Sequence, residues 1–135
     1  EGYVTESVDG KPVAPLMGEF NRYDNATSIL LFNPWSWIFA SSDHAVTLRW
    51  NAIGADSTEV EMIWLVSPSA KENTDYEPER VAKIQWDTAL EDKEIVESVR
   101  NGIASRSYRP GQLSRQEATV DRFVRWYLRQ LSAAA

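Results

Sequence analysis

Hydrophobic and polar positions change period partway along the chain. His44, Val46, Leu48 and Trp50 alternate with Ala45, Thr47, Arg49 and Asn51. After Gly54-Ala55-Asp56-Ser57, Val60, Met62, Trp64 and Val66 alternate with Glu59, Glu61, Ile63 and Leu65. A period of two puts one side of each strand on a core, as in an antiparallel sheet. Ser28–Asn33 and Trp35–Ser41 are short, β-branched and aromatic, with Asn33-Pro34 between them, and predict two more strands. Upstream, Asp9-Gly10 is a hairpin-turn signal separating Gly2–Val8 from Lys11–Met17, although Pro12 and Pro15 weaken the second segment as a central strand. No alternation of strand and helix appears, which disfavours a doubly wound parallel sheet.

From Pro78 onward the spacing is helical. Proline suits a first helical position, and Val81, Ile84 and Gln85 follow at helical intervals. Thr88-Ala89-Leu90-Glu91 fits a capping box, which predicts a restart of the helix with Ile95, Val96, Val99 and Ile103 as its apolar stripe and Gly102 as a left-handed stop. Arg109-Pro110-Gly111-Gln112 carries the signature of a type II turn. Ser114-Arg115-Gln116-Glu117 is a second capping box, opening a helix on which Val120, Phe123, Val124, Tyr127, Leu128 and Leu131 form one stripe. The expected class is α+β: a curved antiparallel sheet with a long C-terminal helix laid across it.

Composition narrows the chemistry. The chain has 135 residues, 43% apolar and 25% charged, enough for one globular domain. Its apolar runs, that within Ser28–Phe32 among them, are far short of a membrane span. There are no cysteines and one histidine, His44, so no thiol chemistry, cysteine-held metal or two-imidazole site can come from this chain alone. Net charge is −6, yet its distribution is uneven: residues 1–100 hold 8 Lys and Arg against 18 Asp and Glu, residues 101–135 hold 6 against 2. The acidic total argues against nucleic-acid binding. Arg106, Arg109, Arg115, Arg122, Arg125 and Arg129 are better explained by pairing with acidic groups on the fold or across a subunit contact.

Carboxylates crowd one stretch, at Asp87, Glu91, Asp92, Glu94 and Glu97, and composition alone makes this a solvated acidic helix start. The run from Thr88 to Tyr127 nevertheless resembles a known family. Thr88, Glu91-Asp92, Ile95, Glu97, Val99, Gly102-Ile103, Ser105, Tyr108, Pro110-Gly111, Ser114, Glu117, Val120, Phe123 and Trp126-Tyr127 match the C-terminal part of the catalytic domain of Rieske non-haem iron oxygenases, the α-subunits of ring-hydroxylating oxygenases. Asp9-Gly10-Lys11-Pro12, Pro15-Leu16-x-Gly18 and the strands ending at Trp64-Leu65-Val66 are similar to that family too. Arg100 departs from it, since many relatives carry Gln there.

The resemblance implies a helix-grip catalytic domain of which residues 1–135 are a C-terminal segment. It implies one Fe(II) held by two histidines and one carboxylate with positions open to dioxygen, and a Rieske [2Fe–2S] centre held by two Cys and two His. On it Asp92 is the iron ligand, with Glu91 the next candidate. The cluster's ligands and the iron's two histidines are missing here, so the chain is expected to be a piece of a longer polypeptide, inactive alone; the Glu1 start agrees with a cut chain. The implied reaction hydroxylates or demethylates a small organic substrate, with a reductase or ferredoxin as electron donor, a homotrimeric assembly and a cytoplasmic location, and with no nucleic acid or membrane as partner.

Other residues keep two readings. Trp35, Trp37 and Phe39 share strand parity, and with His44 and Trp64 they either fill a core or line an apolar pocket. A non-catalytic helix-grip module holding an apolar small molecule is the alternative function. A third reading has the arginine face dock a partner through salt-sensitive contacts.

Overall fold

A chain whose apolar side chains alternate can hide them only by pairing strands, and the register shows how. The computed structural model describes residues 2–32 and 34–133. Strands β1 (Ser28–Phe32), β2 (Ser36–Ala40), β3 (His44–Ala52) and β4 (Thr58–Val66) form an antiparallel meander in the order β1-β2-β3-β4. Asn33 of the expected Asn33-Pro34 break lies outside the described residues. Phe39 pairs with Val46, which pairs with Trp64; Trp37 pairs with Leu48, which pairs with Met62. Directly opposed residues face the same way, so Trp37, Phe39, His44, Val46 and Trp64 share one side of the sheet. Arg49 and Glu61 are opposed on the other side and close an ion pair at 3.0 Å. The Gly54–Ser57 turn joins β3 to β4 as expected, with the Ile53 and Gly54 amides donating to the Ser57 carbonyl.

The N-terminal hairpin does not form. Residues 2–17 contain no strand; the Val4 amide donates to the Gly10 carbonyl at 2.8 Å, and Gly10 takes φ +69 to make a local turn. The reason is that the segment's backbone groups are claimed by side chains, one remote and one local. The Val13 amide donates to Asp43 Oδ2 at 3.0 Å, and the Lys11 carbonyl accepts from the Ser7 hydroxyl at 2.7 Å. Pro12 and Pro15 could not have donated to a ladder in any case.

Helix α1 (Pro78–Ile103) starts at the proline and runs unbroken for 26 residues. The restart expected at Thr88 is therefore absent. Ala89 and Leu90 are strong helix formers and nothing interrupts the chain there, so intrinsic propensity overrides the capping signal. Gly102 stays helical rather than left-handed, and Gly111 does not take the positive φ a type II turn requires. The second capping box is used: the Ser114 amide donates to Glu117 Oε2 at 2.7 Å at the start of a short 3₁₀ turn (Arg115–Glu117), and α2 (Ala118–Ala133) follows.

Contacts divide the chain into two units, residues 1–93 and 94–135. In the first, the buried apolar residues are Val13, Ala14, Ala45, Val46 and Val81, and the Trp64 and Trp86 rings stand 6.5 Å apart. In the second, Phe123 stacks on Tyr127 at 6.1 Å, but no residue of α2 is buried. The apolar stripes of α2 and of the distal half of α1 are uncovered: Val96 is 65% exposed and Leu128 55%. Among the described residues no helix is long and apolar enough to cross a membrane.

Candidate functional site

The side chains with chemistry lie on two elements of the first unit, the start of β3 and the helix α1. At β3, Asp43 is fully buried and His44 is 1% exposed. Asp43 Oδ1 accepts the Thr5 hydroxyl and the His44 Nδ1–H, the latter at 2.9 Å, while Oδ2 accepts the Val13 amide. Burial pushes the Asp43 carboxyl upward, but the His44 and Thr5 hydrogen bonds, the Val13 amide and the imidazole charge outweigh it and hold the pKa at about 2. The cluster is saturated, so it ties the N-terminal segment to the sheet. His44 is thus an interior residue anchored through Nδ1.

On α1 the geometry concerns one line. An α-helix turns every 3.6 residues, so Val81, Gln85 and Asp92, separated by four and seven positions, stack along a single face. Along it burial fades: Val81 is 3% exposed, Gln85 is half-buried and Asp92 is exposed. Glu91 sits about 100° round the helix from Asp92. Asp92 lies mid-helix, not in a first turn as the absent restart had suggested. Asp92 continues the line of Val81 and Gln85 into the part of α1 in which every residue from Leu90 onward is exposed.

Among the described residues four buried side-chain polar atoms have no hydrogen-bond partner: Ser42 Oγ, Trp64 Nε1 and both amide atoms of Gln85. The sequence hinted at Gln85 only as a polar residue at a core-facing helical interval. Trp37 packs on Phe39 at 5.9 Å and on Trp50 at 4.9 Å, yet it is 38% exposed and Trp35 44%, so neither is a core residue here. A cleft of about 470 Å³ lies between Pro12–Pro15, Tyr23 and Thr74–Arg80; none of Trp35, Trp37, Phe39, His44, Trp64 or Asp92 lines it.

Metal fit follows from the donor set. Among the described residues no three His, Cys, Asp or Glu side chains come together as a cation site. Asp92 would supply one anionic oxygen and no second or third donor stands with it among the described residues. An [2Fe–2S] centre does not fit, because a chain without cysteine and with one interior histidine has no donors for it.

Comparison with known proteins places this architecture. The family model of the ring hydroxylating alpha subunit (catalytic domain) matches residues 5–133. The chain belongs to that family of Rieske oxygenases. It is 39% identical over 130 residues to the glycine betaine monooxygenase oxygenase subunit of Chromohalobacter salexigens, a match covering 94% of this chain and 29% of that protein. The subunits of the same name from two Pseudomonas aeruginosa strains are 34% identical over 130 residues, covering 94% of this chain and 30% of theirs. The chain thus spans about 30% of the length of these relatives. Family membership and the α+β architecture agree with the sequence reading, and the oxygenase family implies non-haem iron and a [2Fe–2S] centre in its complete members.

Proposed function

We propose that this chain is the C-terminal segment of the catalytic domain of an iron-dependent monooxygenase, and that Asp92 is its contribution to the mononuclear iron. The observation that carries the assignment is the line Val81–Gln85–Asp92: of the two adjacent acids, Asp92 extends the core-facing side of α1 and Glu91 does not. An anionic oxygen suits ferrous iron, and a long helix holds it at a fixed position. The iron, completed by two histidines from outside these residues, supplies dioxygen activation when bound. The exposed stripes of α1 and α2 fit the same reading, because apolar faces of this size are ordinarily covered by further protein.

The substrate proposed is a small quaternary ammonium compound such as glycine betaine, oxidised at an N-methyl group. Aromatic rings bind such cations through their π faces, and Trp64 and Trp86 offer two rings beside the buried start of α1. Electrons come from a reductase or ferredoxin by way of a Rieske centre elsewhere in the polypeptide, and the assembly is a homotrimer. The test is iron content per protomer of the full-length protein carrying this chain. Asp92→Ala should lose mononuclear iron and keep the cluster signal, while Glu91→Ala keeps both; an Asp92→Ala protein with its full complement of iron overturns the assignment.

A further inference from the structure

We infer that the side-chain amide of Gln85 and the indole N–H of Trp64 bind the carboxylate of a small zwitterionic substrate; the inference rests on the function proposed above and names the groups that select its substrate. Both residues bury polar atoms that no group among the described residues satisfies: Trp64 Nε1, Gln85 Nε2 and Gln85 Oε1. Buried polar groups are overwhelmingly paired, and leaving one unpaired carries a desolvation penalty. An amide with both ends unpaired on a core-facing helical position is therefore held for a partner that comes and goes. Packing alone is served better there by Leu or Met.

The chemistry of that partner follows from the donor count. Trp64 offers one N–H and Gln85 two, against one carbonyl oxygen, so the complement is an acceptor-rich group, and a carboxylate is the compact case. Neutral donors suffice when the ligand carries its own countercharge, because a zwitterion brings no net charge into the interior. The cationic end has its receptor alongside. Trp86 follows Gln85 in α1, and its ring lies 6.5 Å from that of Trp64 with the planes tilted by 57°, which leaves π faces for a quaternary ammonium. Gln85 also shares its face of α1 with Asp92, seven residues and about 10 Å farther along the axis. A ligand reaching from one toward the other would present its methyl end at the Asp92 side.

The experiment is calorimetric binding to the full-length protein, with glycine betaine and tetramethylammonium as probes and thermal melting as the structural control. Gln85→Met keeps the volume and removes the amide, and Trp64→Phe keeps a ring and removes the N–H. Each should weaken glycine betaine about tenfold, the loss of one buried hydrogen bond to a charged group. Tetramethylammonium binding should stay unchanged in Gln85→Met, whose melting temperature should hold or rise, since an unsatisfied amide has been replaced by an apolar side chain; Trp64→Phe, which also weakens a ring face, should weaken glycine betaine more than tetramethylammonium. Unchanged glycine betaine affinity in Gln85→Met, or equal weakening of both probes, overturns the inference. If Asp92→Ala loses its iron while Gln85→Met binds normally, only the carboxylate site falls. If the unaltered protein binds no glycine betaine, the proposed substrate falls and the carboxylate site with it.

Discussion

Replacing Asp43 by Asn tests whether one buried carboxylate holds the N-terminal segment on the sheet. The wild-type side chain uses both oxygens: Oδ1 accepts from Thr5 and His44, Oδ2 from Val13. An asparagine retains one acceptor oxygen. Its least costly orientation keeps the two-donor oxygen and turns the new NH₂ on the Val13 amide, leaving a buried donor unpaired at about 1–3 kcal/mol. The surviving bonds also lose their charge assistance. The sum is about 2–4 kcal/mol, all local to residues 2–15 and the start of β3.

The acid dependence gives a second reading of the same energy. A folded pKa of about 2 lies below the ordinary 3.8, so the ionised carboxylate adds stability above pH 4 that is lost as pH falls toward 2. Nearly two pH units correspond to about 2 kcal/mol. Hydrogen exchange of peptides covering residues 2–15 reads the opening directly, and Asp43→Asn should exchange about 30-fold faster or more at neutral pH. The gap between wild type and variant should narrow as pH drops from 4 to 2. Equal exchange at pH 7, or a gap that does not change with pH, refutes the clasp.

Two further substitutions probe other joints of the structure. Gly10→Ala should destabilise the N-terminal turn by about 1–3 kcal/mol, because Gly10 sits at φ +69 and a β-carbon would run into the Tyr3 ring; unchanged exchange of the Val4 amide would count against it. Leu128→Ala should cost the full-length protein about 2–5 kcal/mol, the usual result for a buried leucine, and the 135-residue chain nearly nothing, since Leu128 is 55% exposed here. Parallel denaturant melts decide between a covered and an open stripe.

The local periods were legible because they depend on covalent geometry alone. Alternation along His44–Ala52 and Thr58–Val66, the proline at the head of α1 and the stripe of α2 all reappear in the structure. Those signals arise because strand and helix repeat their side-chain directions every 2 and 3.6 residues whatever surrounds them. Local signals failed where a competing partner was remote or absent. Asp9-Gly10 did make a turn, but Asp43, 30 positions beyond Val13, took the amide a hairpin would have needed. Thr88 carried a cap signal that the unbroken helix had no use for.

Motif resemblance brought the family and Asp92 into view, and neither rests on contacts within the chain. Tertiary structure alone decided which acid continues the core-facing side of α1, that His44 is locked to Asp43 in the interior, and that Gln85 and Trp64 bury polar atoms without partners among the described residues. Burial and pairing are properties of neighbours brought together from distant points of the chain. A linear pattern fixes which way a side chain leaves the backbone; what it meets there depends on every other element.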